Sequence, residues 1–350
     1  MSSNLILNIP HSSTQLTGMN PFPRFTNWAT GAAFMQMLHN ELLPMTDWYT
    51  DELFINGIGK PIIAPISRVI CDTERFKNDE DEPMSKIGMG VCYRTTHDLK
   101  RTWNPSYRKW VLENVYDVHH KKLEEAVDQA LSKYNKALIL DCHSFSPIPL
   151  PYEPDKKPDR PDICIGTDDF HTPQELIDKA EEFFKGKGYS VKINSPYSGT
   201  IVPLKHLNKD RRVSSLMIEL NRGLYLKEGT NQKNDYFPTL MGHLKEFEQF
   251  IVSKFMHQTR IIDLGLAKAD DPIFSKVFIT TIRRVSDFTG KAGGGSTLTA
   301  VPNKEGFSVS LCQGLPGCDA PSVLTLDIAS RSHEGVTPNR KPQNSPEFSA

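Results

Sequence analysis

Short apolar runs alternate with amphipathic stretches over the first 255 residues, which predicts an α/β fold with a mainly parallel sheet and helices on both faces. Three observations carry that expectation. Ala137-Leu-Ile-Leu140 is a continuous apolar run, the pattern of a central strand covered on both sides. Just before it, from about Val111 to Tyr134, Val115, Val118, Leu123, Ala126, Val127, Ala130, Leu131 and Tyr134 recur at helical spacing. Apolar runs also end repeatedly in polar clusters, and parallel sheets bind ligands at the carboxyl ends of their strands.

In chain order, Leu5-Ile-Leu-Asn-Ile9 reads as a strand that delivers Pro10-His11-Ser12-Ser13 at its end. Ile62-Ile-Ala-Pro-Ile66 and Arg68-Val-Ile-Cys71 read as two short strands, or as one interrupted by Pro65, leading to Asp72-Thr-Glu-Arg75. After the central strand comes Asp141-Cys-His-Ser144. Ile163-Cys-Ile165, Tyr189-Ser-Val-Lys-Ile193 and Ser215-Leu-Met-Ile-Glu-Leu220 are further strands. Helices carry Leu176, Ile177, Ala180, Phe183 and Phe184, and later Leu240, Met241, Leu244, Phe247, Phe250 and Ile251. Beyond about residue 257 sustained periodicity stops. Residues 257–350 read as a poorly ordered or separately acquired extension, with a strand or helix at Ile273–Ile282 and a strand at Ser322–Leu326.

The length of 350 residues suits one large domain, or a domain of about 250 residues with an appendage. A net charge of -1 offers nothing global for nucleic acid or an anionic membrane. Apolar runs stay well below the roughly 18 residues that span a bilayer, and the opening residues make a poor signal peptide. The expectation is a soluble cytoplasmic protein. The six cysteines are scattered without a CxxC pair. Cys71, Cys142 and Cys164 sit in apolar runs and read as buried free thiols, and only Cys312 and Cys318 are spaced for a local bridge.

Four polar clusters follow the apolar runs: Pro10-His11-Ser12, Asp47 to Glu52, Asp141-Cys142-His143 and Glu219-Leu220-Asn221-Arg222. One histidine at a strand end is usually structural. Two, on different strands, suggest imidazole ligands, which with one carboxylate make a three-ligand catalytic zinc site open at its fourth position. His11 and His143 are the nitrogen candidates, and Asp51 or Glu52 supplies the oxygen. Glu219 is placed to move a proton, unless a nearby arginine claims it for a structural pair. Arg75 and Arg222 offer forks that match a substrate carboxylate. Asp79-Glu-Asp-Glu82 reads as a solvated loop and His119-His120 as a helix-face pair. Gly88-Met-Gly90 lacks the context of a phosphate loop, and Asn194-Ser-Pro-Tyr-Ser-Gly199 is a turn suited to one wall of a pocket.

Taken in order, several segments resemble the N-formylglutamate amidohydrolase family across roughly residues 4 to 255. They are Asn8-Ile-Pro-His-Ser12, Thr46-Asp-Trp-Tyr-Thr-Asp-Glu-Leu-Phe54, Ser67-Arg-Val-Ile-Cys-Asp-Thr-Glu-Arg-Phe76 and Gly88-Met-Gly-Val-Cys-Tyr-Arg94. Asp141-Cys-His-Ser-Phe145, Arg160-Pro-Asp-Ile-Cys-Ile-Gly-Thr167, Asn194-Ser-Pro-Tyr-Ser-Gly199 and Ile218-Glu-Leu-Asn-Arg-Gly-Leu-Tyr225 complete them. The resemblance implies a phosphorylase/hydrolase-like fold related to the zinc carboxypeptidases. It also implies hydrolysis of N-formyl-L-glutamate to formate and L-glutamate. His11 and His143 would be ligands to Zn2+ or another divalent metal, Glu219 the general base, and Arg75, Asn221 and Arg222 the substrate contacts. Those peptidases take their carboxylate ligand three residues after the first histidine, where this chain has Thr14. Asp51 is therefore the expected third ligand, with Glu52 and Asp47 behind it. The competing expectations are a metal amidohydrolase for another N-acyl amino acid or short peptide, and an inactive small-molecule binding protein on the same scaffold.

Overall fold

The computed structural model describes residues 4–16 and 31–255, and, as backbone, residues 28–30 and the strands at 259–260, 279–280, 296–303, 306–313 and 322–329. The chain divides into two compact units, Met1–Thr281 and Ile282–Ala350.

The first unit is built on a six-stranded sheet of β1 (Leu5–Ile9), β2 (Lys60–Ile63), β3 (Ala137–Phe145), β4 (Ile163–Gly166), β5 (Val191–Ile193) and β6 (Val213–Asn221), in the order β2-β1-β3-β6-β4-β5. β2, β1, β3 and β6 are mutually parallel. β4 runs antiparallel to β6, and β5 is parallel to β4, so the outer pair is reversed. The sheet is mixed and mostly parallel. Periodicity cannot report this reversal, because a buried strand reads the same in either direction.

Among the described residues six α-helices accompany the sheet: α1 (Trp28–Met45), α2 (Thr50–Phe54), α3 (Arg108–Val111), α4 (Asp117–Tyr134), α5 (Gln174–Gly186) and α6 (Phe237–Lys254). A single wide π turn, Leu112–Tyr116, joins α3 to α4. Asn135 ends α4 in the left-handed conformation, its N–H returning to the Leu131 carbonyl at 2.8 Å.

Alternation along the strands assigns the two faces. Ile6, Ala137, Ile139 and Val213 pack on Leu123, Ala126, Val127 and Ala130 of α4. Leu5, Leu7, Leu138, Leu140, Leu216 and Ile218 pack on the other side with α2, α5 and α6 through Leu53, Phe184, Leu240 and Phe247. A third core gathers α1 and the segment from Ile66 to Tyr116. Arg68–Cys71 belongs to that core as a turn and not as the expected strand, its Ile70 and Cys71 N–H groups returning to the Ser67 carbonyl. Cys71, Cys92, Cys142 and Cys164 are buried free thiols.

Within the second unit three strands, Ser296–Asn303, Gly306–Gln313 and Ser322–Ala329, form an antiparallel sheet with the middle strand at its centre. The expected strand at Ser322–Leu326 falls inside the last of them. Of Ile273–Ile282 only Ile279–Thr280 is described, and Cys318 and 331–350 lie outside the described residues.

Glu248 of α6 gives a stability prediction away from the sheet's carboxyl ends. It is fully buried; Asn56 Nδ2 donates to its Oε1 at 2.7 Å and its Oε2 has no partner. Burial pushes its pKa up to about 8, against hydrogen bonding from Asn56 and the Gly59 backbone. Between about pH 4.5 and pH 8 the folded chain thus holds a proton that the unfolded chain has lost. Stability falls as pH rises through that window and levels off above it. Glu248→Gln removes this slope, at most about 1.4 kcal/mol per pH unit, and pH-dependent denaturant melts of both proteins check it. Parallel curves from pH 5 to 8 would contradict the assignment.

Candidate active site

The carboxyl ends of β1, β3 and β6 lie side by side. Asn8 is in register with Asp141, and His143 with Glu219. The alternation that turns Ile6 and Ile139 toward α4 carries Asn8, Asp141 and His143 to the same face one step further along. The strand face changes there from apolar to polar, and a site opens where α4 no longer covers the sheet. Cys142 has the opposite parity and belongs to the core.

His11 follows β1 and reaches the same place. Its carbonyl accepts from the Asp47 N–H at 3.0 Å, which ties the loop between α1 and α2 to the sheet. Each imidazole is held on one edge by a buried carboxylate. His11 Nε2 lies 2.8 Å from Asp72 Oδ1, and His143 Nε2 lies 3.0 Å from Asp141 Oδ1. The Nδ1 atoms face Asp47 Oδ2, at 3.5 Å from His11 and 3.2 Å from His143. Among the described residues, one ligand atom each of His11, Asp47 and His143 lie within 4.8 Å of one another.

The structure thus brings Asp47, and not Asp51, to the two histidines. Asp51 stands in the first turn of α2, half-buried, with its carbonyl accepting from Ile55 N, and Glu52 is exposed and paired with Lys233. The burial of Leu53 and Phe54 in the core sets the direction of this helix and carries Asp51 away from the histidines.

Arg222 also has a task other than the expected one. Its guanidinium donates to Asp47 Oδ1 at 3.1 Å, Pro44 O at 2.8 Å, Ser144 O at 3.1 Å and Ser144 Oγ at 3.2 Å. Those bonds fix Asp47 and leave little of the fork for a substrate. Asn221 caps the turn that follows β6: its Oδ1 accepts from Gly223 N, and its Nδ2 donates to Pro161 O. It is not a wall of the cavity. Arg75, unlike Asn221, stands on the cavity wall. Its Nε lies 3.6 Å from Asp72 Oδ2, and that buried Nε makes no hydrogen bond.

Sequence reasoning missed the network behind the histidines. Asn8 Nδ2 donates to Glu74 Oε1 at 2.6 Å and to Asp141 Oδ1 at 2.8 Å. With both amide hydrogens used, Asn8 Oδ1 accepts from His119 Nε2 at 2.9 Å. His120 lines the cavity and donates to the Thr73 carbonyl at 2.9 Å, so His119-His120 is part of the site's support and not an ordinary helix-face pair. Arg68 donates to Asp72 at 2.8 Å and to Tyr93 at 3.0 Å. A legible signal was present in Asp141-Cys-His143, because residues two apart on a strand share a face. Glu82, expected in a solvated loop, is buried and accepts from Phe76 N and Met84 N.

The carboxylates divide into two electrostatic classes. Burial opposes ionisation of Asp47, yet the neighbouring His11 and His143 imidazoles and the charge of Arg222 hold it far below the usual range. Asp72 is likewise held low, against burial, by Arg68, His11 and Arg75. Burial pushes Glu219 up to about 8, with the Asp47 charge adding to it and His143 opposing. Burial and the neighbouring Asp141 push Glu74 up to about 8 as well. Burial lowers His119 to about 3, so it stays neutral. Glu219 Oε2, like His11 Nδ1 and Arg75 Nε, is a buried atom with no hydrogen-bond partner. Such atoms each cost roughly 1–3 kcal/mol. All three belong to residues that line one cavity.

The cavity has a volume of about 830 Å3. His11, Arg68, Arg75, His143, Glu219 and Arg222 form its polar end. The turn expected at Asn194–Gly199 does supply a wall, through Tyr197, Ser198 and Gly199. Gly166 makes that wall possible: a Cβ there would stand 2.3 Å from the Gly199 carbonyl oxygen.

A family model described as N-formylglutamate amidohydrolase matches residues 3–226, a span that contains every group of this site. The chain belongs to the N-formylglutamate amidohydrolase family. A curated relative, the N-formylglutamate deformylase of Pseudomonas putida, is 25% identical over 198 residues, covering 53% of this chain and 72% of the relative. The fold is also that of a solved structure, the N-formylglutamate amidohydrolase from Ralstonia eutropha JMP134. That structure shares 23% identity with a TM-score of 0.56, over 71% of this chain and 93% of the other.

Proposed function

We propose that the chain is a cation-dependent amidohydrolase that cleaves N-formyl-L-glutamate to formate and L-glutamate. The observation that carries the reading is the convergence of His11 Nδ1 and His143 Nδ1 on Asp47, with the far edge of each ring held by Asp72 or Asp141. A carboxylate behind each imidazole holds a proton on Nε2, so that with a cation bound each Nδ1 would present its lone pair, the arrangement that orients metal-ligating histidines. The buried His11 Nδ1 has no hydrogen-bond partner, and two nitrogens with one carboxylate oxygen suit zinc or another divalent cation. When bound, the cation supplies Lewis acidity to the amide carbonyl and acidifies the attacking water.

Glu219 stands in register with His143 and takes the proton of that water. It returns the proton to the amide nitrogen as the C–N bond breaks, so the water oxygen leaves in formate and the amine leaves as glutamate. Buried on the cavity wall with an unpartnered Oε2, the carboxyl is placed to carry the proton in both directions. Arg75 receives a substrate carboxylate, while Arg222 and the Ser144 N–H, 3.2 Å from Asp47 Oδ2, hold the aspartate in place.

Formate release from a panel of N-formyl amino acids tests the substrate. The expected order places glutamate and aspartate above methionine, leucine and alanine. A preference for the neutral members would overturn the assignment. Arg75→Ala is expected to raise KM for N-formylglutamate by about 10- to 100-fold with a smaller change in kcat, the signature of a charge-assisted contact made before the chemical step. An unchanged KM would remove Arg75 from substrate binding.

A further inference from the structure

The cavity is larger than the substrate just proposed. N-formylglutamate has about twelve non-hydrogen atoms, and even at a water's liquid share of about 30 Å3 per atom it takes up on the order of 360 Å3. That is less than half of the 830 Å3 present. The polar groups gather at one end, and the remaining volume has a different character. Phe76, Val202, Leu204 and Leu207 line it. Phe76 and Leu204 are 50% and 65% exposed, unusual for large apolar side chains that already face a cavity. Asp117, His120, Lys121 and Glu124 of α4 form the other wall. Their spacing follows one stripe of the helix, so this arm runs about 10 Å along α4. The Lys77 ammonium neutralises Asp117 at 2.6 Å, which leaves the arm without a strong net charge at that point.

An enzyme restricted to a formyl group needs a wall against the acyl carbon, because an apolar pocket discriminates weakly between homologous chains unless it is closed. Here the polar end continues into an open arm, apolar along the wall that faces α4. We propose that the site also hydrolyses N-acyl-L-glutamates whose acyl group is a medium-length apolar chain, the carboxylate held at Arg75 and the chain lying along the arm against Val202, Leu204 and Leu207. The reaction is unchanged in balance: water adds to the acyl carbon, the C–N bond breaks, and a fatty acid leaves in place of formate. This inference rests on the amidohydrolase reading of the same site.

The test compares kcat/KM of the full chain for N-formyl-, N-acetyl- and N-hexanoyl-L-glutamate. Each further buried methylene is worth about fourfold, so the hexanoyl compound is expected to exceed the acetyl compound by tenfold or more. Leu204→Asp, a change at an exposed position, is expected to lower the hexanoyl-to-acetyl ratio at least tenfold, and Phe76→Ser to lower it in the same direction. If formylglutamate is cleaved and the hexanoyl compound falls below the acetyl one, or if neither variant moves the ratio, the apolar arm is not an acyl site. If none of the three is cleaved, the amidohydrolase reading fails and takes this inference with it.

Discussion

Asp47→Asn is expected to lower turnover of N-formylglutamate at least about a thousandfold and to remove stoichiometric cation binding, while Asp51→Asn changes either by less than about twofold. The difference follows from where the two carboxylates lie. Asp47 Oδ2 is the common neighbour of both Nδ1 atoms and also accepts from the Ser144 N–H. An amide at position 47 replaces a ligand oxygen or turns an N–H donor toward the imidazole lone pairs. Either arrangement consumes what a cation needs. Its remaining oxygen can still accept from Arg222, so that buried guanidinium keeps a partner and the fold is retained. Asp51 sits a helical turn away in α2 and touches neither histidine. Metal analysis and formate release on the two variants check the contrast. Equal losses in both would show that the loop, and not the carboxylate, matters.

Glu219→Gln separates proton transfer from structure. The side chain keeps its shape and loses its ability to accept a proton, so kcat is expected to drop by about 10²- to 10⁴-fold with the cation retained. Stability is expected to move the other way or stay level. A buried carboxyl with a partnerless Oε2 is a liability to the fold, and burial already raises its pKa to about 8. A structural Glu219, paired with an arginine, would give the reverse: a lowered melting temperature and a modest loss of rate. Thermal melts and turnover measured on the same preparation distinguish the two roles. Loss of both cation and fold would contradict the assignment of Glu219 as the proton carrier.

The parts of the site visible in sequence are those set by strand periodicity. Ala137–Leu140 and Ser215–Leu220 announce buried strands, and their polar continuations place His143 and Glu219 at the carboxyl ends, where the structure finds them in register. His11, just beyond β1, follows the same logic. Two elements were beyond that reach. The reversed β4 and β5 pair depends on loop paths that a hydrophobic pattern does not encode. The choice among Asp47, Asp51 and Glu52 depends on where a five-residue helix starts and which way its buried Leu53 and Phe54 turn it. Arg222 looked available because its neighbours in sequence are polar. Its partners Pro44, Asp47 and Ser144 come from distant segments, and folding assigns it to them. Asp72 shows the same effect from the other side, a loop residue that becomes fully buried behind His11.

The most direct test of the account is cation titration of the full chain after chelation, read simultaneously by metal stoichiometry and by formate release from N-formyl-L-glutamate. The account predicts that the chelated protein is inactive, that activity returns in proportion to the first equivalent of zinc or another divalent cation, and that His143→Ala neither binds that equivalent nor recovers. Full-rate formate release by the chelated protein, or by His143→Ala, would contradict it.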